Sequence, residues 1–166
     1  MSLVQPGGAG FIGLISDTHG LLRPQALTAL RGASLILHAG DVGNPEILET
    51  LGRIAPVHAV RGNTDFGDVL DRLPETEVVA VADGVNVYLL HILDELDLDP
   101  AAAGIKAVIY GHTHEPLIQR RAGVWYINPG SAGPRRFKLP ITVARMFVPS
   151  GELETEIVDL ESAGPL

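Results

Sequence analysis

The sequence predicts an α/β fold in which two packed β-sheets form a sandwich flanked by helices. Three observations carry this. The first half alternates strand-length apolar runs with helical patterns, the second half reads as successive hairpins, and 46% hydrophobic residues in a 166-residue chain suffice for a real core.

Phe11 to Ser16 is an apolar run of strand length that stops at Asp17. Pro24 to Leu30 has helical spacing, with Leu27 and Leu30 three apart and Pro24 in the first turn, where its missing N–H is no loss. Ser34 to Ala39, built on Leu35, Ile36 and Leu37, is a second strand ending at Gly40-Asp41. Pro45 to Gly52 is a second helix with Asn44 as its N-cap. Pro56 to Val60 is a third strand, running into Arg61-Gly62-Asn63. This βαβαβ order implies parallel strands joined by crossover helices.

Glu77 to Ala82 and Val85 to Leu90 flank Asp83-Gly84, a two-residue hairpin signal. A short helix is expected within Leu93 to Ala103. Lys106 to Tyr110 is a strand running into Gly111-His112. Leu117 to Arg120 and Val124 to Ile127 form a hairpin around Ala122-Gly123. Ile141 to Val148 and Leu153 to Leu160 form the last one, across Pro149-Ser150-Gly151. Residues 1–10, with three glycines, read as a flexible leader, and 11–166 as a single domain.

Asp17, Asp41, Asn63, His91 and His112 each follow the C-terminal end of an expected strand. In open α/β sheets the ligand crevice lies beyond those ends, so groups distant in sequence can converge there. Asp17 and His19 are two apart, as are His112 and His114, and on extended backbone such pairs share a face. Taken singly, each motif reads as an ordinary turn, a helix cap or a solvated histidine pair. Taken together, at successive strand ends, they supply seven oxygen and nitrogen ligands, enough for two metal ions sharing one carboxylate. The absence of cysteine excludes thiolate sites. His, carboxylate and amide oxygen suit manganese first, with iron, zinc, nickel or cobalt compatible. His58, inside a strand, reads as packed or surface. His38 precedes the Asp41 loop and is a candidate to support it.

The net charge is −8, and no Lys/Arg run reaches three residues. Long nucleic acid is therefore a poor partner, since its binding rests on neutralising many phosphates. No apolar stretch is long enough to span a bilayer. No basic residue precedes Arg23, which gives no support for a secretory signal, and the cytoplasm is the default compartment. Self-association into a homo-oligomer is compatible with this reading.

The text ISDTHG, LILHAGDVG, PVHAVRGNTD, VIYGHTHEP and INPGSAGPR, spread over residues 12 to 136, resembles the calcineurin-like metallophosphoesterases. Within them the chain looks closest to the small single-domain prokaryotic phosphodiesterases, which also resemble the eukaryotic retromer subunit of this fold. The resemblance implies a β-sandwich flanked by helices. It assigns Asp17, His19 and His114 to one metal and Asn63, His91 and His112 to the other, with Asp41 and a hydroxide bridging. It gives Asp41, Asn63 and His112 catalytic roles and makes a small phosphate ester the substrate. Asn128 to Ser131 matches a family loop that supports the site.

Two ions contribute +4 and the two aspartates −2, so even an acidic protein keeps a positive centre for phosphate. The sequence departs from the family at two places. Larger relatives carry a proton-donating His where this chain has Thr64, which leaves His38 as the remaining donor nearby, with Asp65 expected to cap the loop. Relatives place a glycine after the His91 equivalent, and this chain has Ile92. Arg23, Arg61, Arg135 and Arg136 are candidate clamps for substrate oxygens. The acidic string from Asp94 to Asp99 is expected on a solvated helix face or a rim that repels polyanions. A protein-binding scaffold of the same fold is the competing reading, and a nuclease a third.

Overall fold

A computed structural model describes residues 10–161. Apart from Gly10, the expected leader lies outside the described residues. The first sheet has the order β10-β9-β1-β2-β3 and the second β4-β5-β6-β8-β7. The strands are β1 (Phe11–Ile15), β2 (Ala33–His38), β3 (Val57–Ala59), β4 (Thr76–Ala82), β5 (Val85–Leu90), β6 (Ile105–Ile109), β7 (Leu117–Arg121), β8 (Val124–Asn128), β9 (Thr142–Phe147) and β10 (Glu154–Asp159).

The crossover reading holds for β1, β2 and β3, which are parallel and linked by α1 (Pro24–Leu30) and α2 (Pro45–Gly52). Both helices carry proline in the first turn, and the Asn44 side chain caps α2 by accepting from the Glu46 N–H at 3.0 Å. The three hairpins also form. The sequence did not announce where the last one goes: β9 pairs antiparallel with β1, opposing Leu14 to Ala144, so the first sheet is mixed. In the second sheet β5, β6 and β8 run parallel.

Two apolar layers hold the sandwich. Between the sheets, Ile12, Leu14, Leu35 and Leu37 meet Val81, Val87, Leu89, Ile109 and Ile127. Outside the first sheet, Ala26, Leu30, Ile47 and Leu51 of the helices cover Ile15, Ile36 and Val143. Alternate residues of β1 and β2 thus face opposite layers, and both strands read as continuous apolar runs because both faces are buried.

The second sheet is covered differently from the expectation. The helix expected within Leu93 to Ala103 is only a 3-10 turn, Leu93–Glu95. Leu93, Leu96 and Leu98 pack on Tyr88, Val108 and Tyr110 of the outer face, while Asp94, Glu95, Asp97 and Asp99 point to solvent. Leucines at 96 and 98 alternate with aspartates, a period of two that no helix can segregate. The segment is a loop draped over the sheet. Among the described residues, no helix is long and apolar enough to cross a membrane.

Candidate metal centre

The strands end together, and their hydrogen-bonding continues into the loops that follow. Beyond β1 and β2, the N–H groups of Asp17, His19 and Gly20 donate to the carbonyls of Gly40, Asp41 and Val42 at 2.9–3.0 Å. Beyond β5 and β6, the Gly111 N–H donates to the His91 carbonyl at 3.0 Å. The loops are therefore held rigidly in register with the sheets.

Asp17, His19, Asp41, His112 and His114 all have positive φ, between 46° and 75°. This left-handed conformation disfavours side chains with a Cβ, and such strain clusters at functional sites. It turns each of these side chains sharply off its strand. Two glycines complete the geometry by bringing backbone close. A Cβ at Gly62 would collide with the Asp41 carboxylate and amide, and one at Gly111 would collide with Ser16 Oγ and the Asp17 carboxylate.

Each aspartate divides its oxygens between framework and centre. Asp17 Oδ2 accepts from Ser16 Oγ at 2.6 Å and from the His112 N–H at 3.1 Å. Its Oδ1 is buried with no hydrogen-bond donor and faces the Nε2 atoms of His114, His19 and His91 at 3.3, 3.6 and 3.8 Å. Asp41 Oδ1 accepts from the Thr64 N–H at 2.9 Å. Its Oδ2 lies 3.1 Å from His91 Nε2 and 3.5 Å from His19 Nε2. Asp41 thus touches both halves of the constellation. Asn63 Oδ1 lies 3.2 Å from His112 Nδ1.

The convergence resolves into two groups, Asp17/His19/His114 and Asp41/His91/His112, each with ligand atoms within 4.8 Å of one another. His91 Nδ1 donates to the Ala39 carbonyl at 2.7 Å, which turns an unprotonated Nε2 towards Asp41. That Nε2 is buried and has no hydrogen-bond partner, like Asp17 Oδ1. Acceptors facing acceptors in a buried site call for a cation between them. Burial alone would raise the Asp17 carboxyl, yet the imidazoles of His114 and His19 that face it outweigh burial and hold it well below the carboxylate range. Asp41 is lowered too, as His91 and the Thr64 N–H overcome burial. The carboxylate of Asp17 pushes His19 up, and Asp41 pushes His91 up against its burial.

All seven sequence-derived candidates come together, and their surroundings divide into residues the sequence foresaw and residues it did not. Asp65 caps the loop as expected, its two oxygens accepting from the N–H groups of Val42, Gly43 and Gly62. Asn128 donates to the Gly111 carbonyl and Thr113 Oγ1, and Ser131 Oγ donates to the Asp17 carbonyl, so that loop is support. Ile92 sits at φ −112°, extended backbone that any residue adopts, and leaves His91 in place. His58 pairs with Glu77 at 2.7 Å, away from the centre. Ser16, which orients Asp17, was missed, although its place directly before Asp17 was a signal.

His38 corrects one expectation. Its Nδ1 accepts from the Gly40 N–H at 3.1 Å, so its Nε2–H donates to Thr18 Oγ1 at 3.0 Å, and Thr18 passes its own proton to the Val42 carbonyl at 2.8 Å. Every polar atom of the ring is committed, so His38 is loop support and cannot be the proton donor that Thr64 lacks. Burial pushes it down to about 4 from 6.5. Its contribution to stability is therefore present above about pH 6.5 and is lost as pH falls from there towards 4. Nitrogen-detected NMR should show a neutral Nε2–H imidazole from pH 7 down to pH 5. A ring that charges near pH 6.5 would contradict this.

Arg23 donates to the Gly133 carbonyl and is structural. Arg61 pairs with Glu75 at 3.1 Å, and Arg135 pairs with Glu161. Arg136, which forms no ion pair among the described residues, joins Arg135 beside His19 and His114.

Comparison with known proteins agrees with the geometry. The model of the calcineurin-like phosphoesterase superfamily domain matches residues 11–151. A probable metallophosphoesterase of Methanocaldococcus jannaschii is 33% identical over 93% of this chain and 84% of its own length. Phosphodiesterase YfcE of Escherichia coli is 32% identical over 70% of this chain and 76% of its own. Wild-type Vps29 of Entamoeba histolytica, solved with Zn²⁺, has the same fold at a TM-score of 0.66 and 22% identity, covering 91% of this chain and 99% of its own. The strand ends, the ligand groups and the matched residues describe one thing, and the chain belongs to the calcineurin-like phosphoesterase superfamily.

Proposed function

We propose that this protein is a binuclear metal-dependent phosphodiesterase acting on small phosphate esters. One observation carries the reading: Asp41 Oδ2 faces His19 Nε2 at 3.5 Å and His91 Nε2 at 3.1 Å, between two ligand groups. Asp17, His19 and His114 would hold one ion, and Asn63, His91 and His112 the other, with Asp41 shared. Bound divalent ions supply charge for the phosphate oxygens and lower the pKa of a water nucleophile.

The chain's own part is preorganisation. Ser16, the His112 N–H and the Thr64 N–H fix the two carboxylates before any substrate arrives. Fixed groups need no reorganisation when charge moves. The imidazoles are neutral ligands, so the centre keeps a net positive charge for an anion. Arg136, beside His19 and His114, adds to it on one side, where Arg135 is matched by Glu161. The scaffold reading is less favoured, because all seven candidate ligands are present and oriented.

Hydrolysis of bis(p-nitrophenyl) phosphate tests the proposal. Activity should disappear with a chelator and return with Mn²⁺, but poorly with Mg²⁺, which prefers all-oxygen sites and keeps its waters. Zn²⁺ belongs in the same series. Full turnover with Mg²⁺ alone would refute the metal preference, and turnover in excess chelator would refute the metal dependence.

A further inference from the structure

Three cavities open around the centre, and their charges differ in sign. The first, about 250 Å³, lies beside His19 and His114 and carries Arg135 and Arg136. The second, about 300 Å³, lies beside His91 and Asn63 and is walled by Asp71, Glu75, Glu95 and Phe66. The third, about 280 Å³, lies beside His112 and carries Asp94, Glu115 and Arg121. The acidic string of the sequence is thus the rim of two of them. Ile92 lines both of those two and stands between them.

In the second cavity the charges do not cancel. Arg61 is matched by Glu75, and Asp65 spends both oxygens on backbone N–H groups. Asp71 and Glu95 form no ion pair among the described residues, and both are exposed towards the opening. Phe66, 75% exposed, offers an aromatic face beside them. His91 and Asn63 also line this space, which puts it directly beside the centre. Two free carboxylates, an aromatic ring and an apolar Ile92 are the elements that recognise an organic cation.

Resting on the phosphodiesterase reading, we infer that the substrate is a phosphodiester with one cationic arm, a primary or quaternary ammonium seated among Asp71, Glu95 and Phe66. The phosphate lies on the centre, and the other arm projects towards Arg135 and Arg136. The same carboxylates repel a polyphosphate arm, so nucleoside di- and triphosphates are poor substrates. One exposed carboxylate a few ångströms from a cation contributes on the order of a tenfold preference at low salt.

The test compares p-nitrophenyl phosphocholine with p-nitrophenyl 3,3-dimethylbutyl phosphate. The two share a leaving group and a shape and differ in the charge of the retained arm. Wild type should favour the cationic ester in kcat/KM by roughly tenfold or more at low salt, and the ratio should shrink as salt rises. In Asp71→Asn/Glu95→Gln the ratio should fall to about unity. In Glu95→Lys it should reverse. Choline alone should also shift the Phe66 ring resonances of metal-free wild type, and not those of the double variant. Equal rates on both esters in wild type would overturn this inference and leave the phosphodiesterase reading intact. Hydrolysis of neither ester by metal-loaded protein would overturn both.

Discussion

Asp41→Asn should lower phosphodiester hydrolysis about 10³-fold while the protein stays folded. Asp41 Oδ2 faces both histidine groups, and Oδ1 anchors the Thr64 N–H. The amide keeps the shape and an acceptor oxygen but removes the one negative charge that both ions would share. Loss of a fixed charge at the reacting centre typically costs about 10²–10³-fold, and here two coordination spheres are affected. His114→Ala disturbs only the Asp17 group and should cost about 10–100-fold. Fold should survive in both, because the residues sit on loops beyond the strands and outside the apolar layers. Steady-state kinetics with metal analysis and circular dichroism decides the matter. Wild-type rates from Asp41→Asn with two ions bound would end the bridging assignment.

The second large effect is a steep dependence on the leaving group. Thr64 stands where larger relatives are expected to carry a histidine donor, and its hydroxyl titrates too high to serve near neutral pH. His38 cannot replace it, since both ring nitrogens are engaged in the loop behind the centre. Aryl diesters, which leave as stable phenolates, should therefore outrun alkyl diesters of equal size by about 10²–10⁴-fold, the usual worth of a general acid. Thr64 is exposed, so Thr64→His should be tolerated. The variant should recover part of the alkyl rate and flatten the plot of log rate against leaving-group pKa. A flat plot in the wild type would reveal a proton donor elsewhere.

Much of this was legible because the chain is locally consistent. Pro24 and Pro45 mark the helix starts, Asn44 caps, and Asp83-Gly84 turns, each residue agreeing with its element. The ligands were legible because each follows a buried apolar run, and a strand end leaves a polar residue little to do but turn into a crevice. What escaped the sequence was mostly non-local. The pairing of β9 with β1 joins residues 130 or more apart, and only the folded sheet decides it. The commitment of His38 depends on Thr18 and Gly40 lying on either side of it. The segment after His91 misled because its leucines suggested a helix, while their spacing of two suited a loop lying on a sheet.

The two ligand groups each draw on both sheets. Asp17 and His19 follow β1 and answer to His114 beyond β6, while Asp41 follows β2 and answers to His91 and His112 beyond β5 and β6. Elsewhere the sheets meet mainly through apolar side-chain packing, with the His58–Glu77 pair between β3 and β4, and the chain has no cysteine with which to rivet them. Loaded ions would do the work of a disulfide clasp at one end of the sandwich, tying His19 to His114 across 95 residues of sequence. Amide exchange should then slow on metal addition at the loops after β1, β2, β5 and β6, and stay the same at the opposite ends of those strands. A uniform change along the strands would mean that the ions stiffen the whole body rather than clasp its mouth.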